Sequence, residues 1–151
     1  MRSGVRLGVD AGKARVGLAQ SDPSGLLATP VVTLQRESET LLSDIARLIA
    51  ETSAIEVVVG LPLNLSGDHT PSTENAIELA RDISQATNIP VRMIDERLTT
   101  VSAHAALRAT GKKQRGTRSV IDQVAAVMVL QHALDTERSS GKPAGIALED
   151  I

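Results

Sequence analysis

The chain has no cysteine and no phenylalanine, tyrosine or tryptophan among its 151 residues. The first absence excludes disulfides and thiolate metal sites and fits a reducing compartment. The second leaves Leu, Ile, Val, Ala and Met to build the core. It also removes the aromatic platforms on which single-stranded nucleic acids usually stack. Histidine is scarce too: His69, His104 and His132 lie too far apart to give zinc-ligand spacing. No run approaches the ~18 apolar residues of a membrane span. The first residues enter a strand pattern directly, without the apolar stretch of a signal peptide. A soluble, cytoplasmic protein with no membrane association is expected. Net charge is −2, so no global basic field draws the chain to nucleic acid, and any such attraction has to be local. The length suits one domain, in which folding buries roughly two-thirds of the unfolded surface.

What is present reads as alternating elements. Val5 to Asp10 alternates and predicts a strand, Ala11-Gly12-Lys13 a turn, and Arg15 to Ala19 a second strand closing a hairpin. After the turn-rich Ser21 to Gly25 comes a third strand, Thr29 to Leu34, whose Pro30 places it at an edge. Leu41, Leu42, Ile45, Leu48 and Ile49 recur at helical spacing and predict a helix over about 38–51. Ile55 to Val59 reads as a buried strand. Thr70 followed by Pro71 marks the start of a second helix. Val91 to Ile94 is a fifth strand, and helices are predicted over about 99–110 and 118–135. Strands joined through helices are expected to be parallel, with right-handed crossovers. The fold class is therefore α/β: a mixed five-stranded sheet, with a three-strand antiparallel meander and two parallel strands, flanked by helices. The tail from Ser139 onward is expected to fray.

The acidic residues fall at the ends of these elements. Asp10 ends the first strand and shares a face with Arg6 and Gly8, and Gly8 leaves that face open. Asp95 and Glu96 end the fifth strand and point to opposite sides, so at most one of them joins Asp10 easily. Asp122 sits in a helix that is apolar nearly all round and is expected to be mostly buried, where a carboxylate is costly unless paired, protonated or metal-bound. Three converging carboxylates suit Mg²⁺ or Mn²⁺. The same residues also suit a hairpin cap, an N-cap and a solvated turn, and spacing alone does not choose between these.

Together, Leu7-Gly8-Val9-Asp10-Ala11-Gly12, Arg15-Val16-Gly17-Leu18-Ala19, Ser21-Asp22, Val59-Gly60-Leu61-Pro62-Leu63-Asn64, Asp95-Glu96-Arg97-Leu98-Thr99-Thr100 and Asp122-Gln123-Val124-Ala125-Ala126 closely resemble the bacterial Holliday-junction-resolvase-like family, also called pre-16S rRNA nucleases. The match runs in order from about residue 5 to 134. The resemblance implies an RNase H-like fold. Residues 1–136 are expected to form the nuclease domain and 137–151 a flexible tail. The resemblance implies that Asp10, Glu96 and Asp122 are the metal-binding and catalytic acids, favouring Glu96 over Asp95. It further implies Mg²⁺ or Mn²⁺ as cofactor, with Asp10 bridging two ions and Glu96 and Asp122 holding one each. Family members are linked both to 16S rRNA 5′-end maturation and to four-way DNA junctions, so the expected partner is pre-rRNA or branched DNA, met by a monomer or a homodimer.

A local basic field is present. Arg97, Arg108, Lys112, Lys113, Arg115 and Arg118 follow one another with no acidic residue between them. With Lys13 and Arg15 beside Asp10, they are candidates for phosphate contact, Arg97 either for that or for steadying Glu96. Asn64, Ser66 and Thr99 are further polar candidates, and Thr99 or Thr100 is expected to cap the next helix. Two other function classes are weighed. Asp10-Ala11-Gly12 with Gly17 also looks like the first phosphate loop of sugar kinases and actin-like ATPases, which need two such domains. A non-catalytic nucleic-acid-binding module could keep the same fold.

Overall fold

The structure, a computed structural model, describes residues 1–99 and 117–151. Strands β1 (Arg6–Ala11), β2 (Arg15–Ser21) and β3 (Ala28–Gln35) form the antiparallel meander. Helix α1 (Leu41–Thr52) leads to β4 (Glu56–Leu61), and helix α2 (Pro71–Thr87) leads to β5 (Val91–Asp95). A 3-10 turn, Glu96–Leu98, follows β5. Helix α3 (Thr117–Ser140) closes the main layer, and a two-residue strand β6 (Ile146–Ala147) follows it. Among the described residues the strand order is β3-β2-β1-β4-β5-β6. β1, β4 and β5 pair in parallel, as strands joined through helices do.

The sheet has six strands, not the five expected. The sixth comes from the segment expected to fray, with Ala147 opposite Arg92 and Ile146 opposite Met93. Two residues carry no readable periodicity, so alternation could not announce it. Its anchors are side chains. The Arg92 guanidinium donates to the carbonyls of Ala144 and Gly145 at 2.6 and 2.8 Å, and Ala144 is buried. Gly145, at φ +74°, lets the backbone close on β5 where a Cβ would overlap the Met93 carbonyl oxygen.

Alternation sorts the apolar residues into two layers. On one face Leu7, Val9, Val16, Leu18, Val57 and Val59 pack with Ile45 and Ile49 of α1 and Leu79 and Ile83 of α2. Fully burying each such Leu or Ile contributes roughly 1.5–3 kcal/mol. On the other face Ala19, Val58 and Ile94 meet Ala126, Val129, Leu130, Ala133 and Leu134 of α3. With no aromatic to fill space, this second layer closes through small residues and close backbone approach. Among its described side chains helix α3 is fully buried on one face only, where it was expected to be mostly buried, and it runs five residues past its expected end.

The helix ends follow local chemistry. Thr70 caps α2 by accepting from the Thr73 N–H, and the Thr73 hydroxyl accepts from the Thr70 N–H at 2.9 Å. The same hydroxyl donates to the Pro62 carbonyl, tying the loop after β4 to the helix. Pro30 lies in the edge strand β3, and the register slips between Leu18 and Ala19. From residue 100 on, the helix expected over 99–110 falls outside the described residues. Thr99 closes the 3-10 turn: its N–H and its hydroxyl both donate to the Glu96 carbonyl, at 3.1 and 2.8 Å.

Candidate active site

Arg6, Gly8 and Asp10 share the face of β1 that meets α3. At the start of the strand Arg6 bonds Glu137 of α3 at 3.0 Å. In the middle a Cβ on Gly8 would stand 2.7 Å from the Leu130 Cβ and 2.8 Å from the Ala126 carbonyl oxygen, so only glycine admits the helix here. At the far end Asp10 pairs in register with Gly17 of β2. A Cβ on Gly17 would overlap the Asp122 carbonyl oxygen and stand 2.5 Å from its carbon. Helix α3 therefore lies along two bare strand positions, and its Asp122 backbone rests beside the strand residue that pairs with Asp10.

Glu96 arrives from the other side. Between β1 and β5 runs β4, and its Gly60 sits opposite Ile94. A Cβ on Gly60 would overlap a Glu96 carboxyl oxygen and stand 3.0 Å from Cγ and Cδ. The Glu96 side chain crosses this gap and makes a hydrogen bond with the Asp10 carboxyl. Burial pushes the Glu96 carboxyl above its ordinary range. The bond with Asp10 pulls the other way, and the charge of Asp95 adds to the rise. Two carboxyls in hydrogen-bond contact need a proton or a cation between them.

Asp95 takes no part in that pairing. It accepts from the Arg97 guanidinium at 2.7 and 3.1 Å and from the Arg97 N–H at 2.9 Å. Those bonds hold its carboxyl below the ordinary range. Arg97, expected to steady Glu96 or to reach phosphate, is thus bonded to Asp95, with a long contact of 3.4 Å to the Leu65 carbonyl. Asp122 is half-buried and accepts from the Arg15 Nε at 2.9 Å. Arg15, a candidate for phosphate contact, is thus bonded to an expected metal ligand. Lys13 is exposed on the β1–β2 turn. Arg108, Lys112, Lys113 and Arg115, and the side chain of Arg118, lie outside the described residues.

Of the three expected acids, then, Asp10 and Glu96 are in contact and Asp122 is turned to Arg15. Among the described residues no group of three or more His, Cys, Asp or Glu side chains stands ready to hold a metal ion. The donor chemistry nonetheless fits a hard divalent cation. The oxygens are carboxylate, they sit on rigid element ends, and a cation could replace the proton between Asp10 and Glu96. Asp122 would complete such a set on leaving Arg15.

Several positioning residues escaped the sequence reading. Asn75 of α2 donates to the carbonyls of Ala11 and Gly12 at 3.3 and 3.1 Å and accepts from Arg36 Nε at 3.1 Å, fixing the turn that follows Asp10. Gly17 and Gly60 supply clearance. A lone Asn early in a helix and a Gly inside a strand are legible signals of local contact, but neither names its partner. Asn64, a polar candidate in the sequence, shapes its own loop: its carboxamide oxygen accepts from Ser66 and Asp68 N–H at 3.0 and 2.8 Å.

The model of the RuvX family, described as Holliday junction resolvase, matches residues 4–136. The chain belongs to the RuvX family. A relative from Clavibacter michiganensis subsp. michiganensis, named "Putative pre-16S rRNA nuclease", is 57% identical over 148 residues, covering 96% of this chain and 91% of the relative. One from Streptomyces coelicolor with the same name is 47% identical over 153 residues, covering 100% and 92%. Among solved structures, RuvC of T. thermophilus in complex with a Holliday junction substrate aligns with a TM-score of 0.57 at 14% identity, covering 93% of this chain and 99% of that one. At that identity the likeness speaks for the fold: an α/β, RuvC-like mixed sheet flanked by helices, the architecture of RNase H-like proteins. No helix among the described residues of this RuvX member is long and apolar enough to cross a membrane.

Proposed function

We propose that the protein is a divalent-metal-dependent endonuclease that hydrolyses phosphodiester bonds, with 5′-end processing of a 16S rRNA precursor in the cytoplasm as its task. The observation that carries this reading is the Asp10–Glu96 carboxyl contact across Gly60, at the ends of two strands of a RuvC-like sheet. A half-buried acid pair of this kind is costly as a structural device and useful as a cation site. Asp10, Glu96 and Asp122 would hold Mg²⁺ or Mn²⁺. Ions bound as a pair there would supply a water of lowered pKa and charge stabilisation for the leaving oxygen. Lys13, Arg15 and Arg97, with Lys112, Lys113, Arg115 and Arg118 from the basic segment, would hold phosphates and give binding a steep salt dependence. The names of the relatives favour the RNA substrate.

A second reading, cleavage of four-way DNA junctions, is favoured by the description of the family model and by the RuvC-like fold. Paired cuts on a junction call for a homodimer, whereas trimming of RNA does not. The test is side-by-side cleavage of a labelled 16S precursor RNA and a four-way DNA junction in Mg²⁺ or Mn²⁺, with Asp10→Asn as control. Cleavage by wild type alone is expected, with RNA preferred. Equal cleavage by Asp10→Asn would overturn the site. Binding without cleavage under either metal would favour a non-catalytic module.

A further inference from the structure

Three carboxylates and one guanidinium share the α3 face at this end of the sheet. Two of the acids are in contact with each other. The third, Asp122, is held by Arg15 through a 2.9 Å bond, with side-chain exposures of 26% for Arg15 and 16% for Asp122. The backbone of Asp122 is seated on Gly17 and cannot retreat without lifting α3 from β2. Its carboxylate can change partner only by side-chain rotation. Arg15 opens β2 beside the Gly12–Arg15 turn, where the Gly12 N–H donates to the Arg15 carbonyl at 2.9 Å, so its backbone is fixed as well. The only freedom in this ion pair lies in the two side chains.

We propose that Arg15 is an exchange residue. In the free protein its guanidinium neutralises Asp122. When a divalent cation takes Asp122, the guanidinium is released to a phosphate of the bound nucleic acid. The inference rests on the nuclease reading, and it gives Arg15 two successive partners. Guanidinium recognises carboxylate and phosphate with the same planar fork, which suits it to trade one for the other. An exchange of this kind couples the two ligands. Cation binding must displace Arg15, so the empty protein holds metal weakly. Phosphate that captures the released Arg15 strengthens metal binding, and by linkage metal strengthens nucleic-acid binding by the same factor. The protein would then load its ions mainly when substrate is present.

The test uses the full chain in two measurements, neither of which requires turnover. In calorimetric titration with Mn²⁺ alone, Arg15→Gln is expected to bind the ion about 5–10-fold more tightly than wild type, within the usual range of site–site coupling. In anisotropy titrations of a labelled 16S precursor RNA fragment, the slope of log K against log salt is expected to steepen by about one unit in wild type when EDTA is replaced by Ca²⁺, and not in Arg15→Gln. Arg15→Lys keeps the charge without the planar fork and is expected to fall between the two. It also serves if Arg15→Gln fails to fold by far-ultraviolet circular dichroism. Equal or weaker Mn²⁺ binding by Arg15→Gln, or an undiminished slope change, would make Arg15 a fixed structural partner and overturn the exchange. A wild type that binds Mn²⁺ as expected yet cuts neither substrate would sink the nuclease reading while leaving the exchange standing.

Discussion

Placing the same methyl group at Gly17 and at Gly60 should have opposite consequences. At Gly17 the added Cβ meets backbone: it overlaps the Asp122 carbonyl oxygen and lies 2.5 Å from the carbon, nearly an ångström inside ordinary contact. Relief requires moving α3 as a body, and that opens the close packing of Ala126 and Leu130 on Gly8. Overpacking of this kind costs about 1–3 kcal/mol, and the upper half of that range applies where the obstacle is main chain on both sides. For a domain of this size that corresponds to a fall in Tm of roughly 5–10 °C. At Gly60 the obstacle is the end of the Glu96 side chain, which can swing aside. Alanine there restricts the unfolded chain and offsets its own small cost by roughly 0.4–1 kcal/mol, so Tm should stay within about 2 °C. The displaced Glu96 loses Asp10, and cleavage should fall by about 10²-fold, the usual scale for an ångström of misplacement. Scanning calorimetry and single-turnover cleavage on Gly17→Ala and Gly60→Ala measure both effects. An unchanged Tm for Gly17→Ala, or full activity for Gly60→Ala, would refute the clearance argument.

Three further outcomes are expected. Glu137 accepts from Arg2 at 2.6 Å and from the buried Arg6 at 3.0 Å, and these partners hold its carboxyl down from 4.5 to about 2. A depressed carboxyl stabilises the fold fully above about 4.5 and loses that contribution as pH falls towards about 2. The urea midpoint of wild type should drop through that window, while Glu137→Gln should start lower by roughly 3 kcal/mol and vary less; parallel curves would refute this. Asn75→Ala removes two donors from the turn after Asp10; kcat should fall about 10-fold with KM little changed, a small geometric effect at the site, and an unaltered kcat would deny Asn75 its positioning role. Truncation after Ser140 removes buried Ala144 and strips the Arg92 guanidinium of both carbonyl partners; Tm should fall by several degrees, from roughly 2 kcal/mol of lost burial and bonding, and a truncated chain as stable as wild type would mean that β6 adds nothing.

The meander, both crossover strands and helices α1 and α2 were legible because each has a clean period and a turn or cap at its ends. Thr70-Pro71 fixed the start of α2 to the residue. Strand β6 was not legible, because what holds it is a guanidinium from β5 and a buried alanine, neither of which leaves a pattern in the tail itself. The extension of α3 has a similar origin. Its last turns carry Glu137, whose partners Arg2 and Arg6 lie at the other end of the chain. At the site, alternation separated Asp95 from Glu96, and the family resemblance chose between them. The bond between Arg15 and Asp122 spans 107 positions and had no local sign. Both residues were candidates, each for a different partner: Arg15 for phosphate and Asp122 for metal. Gly17 and Gly60 could be seen as strand glycines, while the carbonyl and carboxyl that need their clearance could be found only in three dimensions.

The strand order carries a consequence for the timing of synthesis. A chain leaves the ribosome N-terminus first and folds as it emerges. Asp10 comes out early and pairs at once with its neighbour β2, but β1 must wait for β4, then for β5 with Glu96, and last for α3 with Asp122. Until that helix has emerged, Gly8 and Gly17 face no partner and the proposed acid set lacks a member. A protein proposed to cut ribosomal RNA would thus lack its full acid set until that helix has emerged, and a chain terminated before it would carry the first acid without the means to use it.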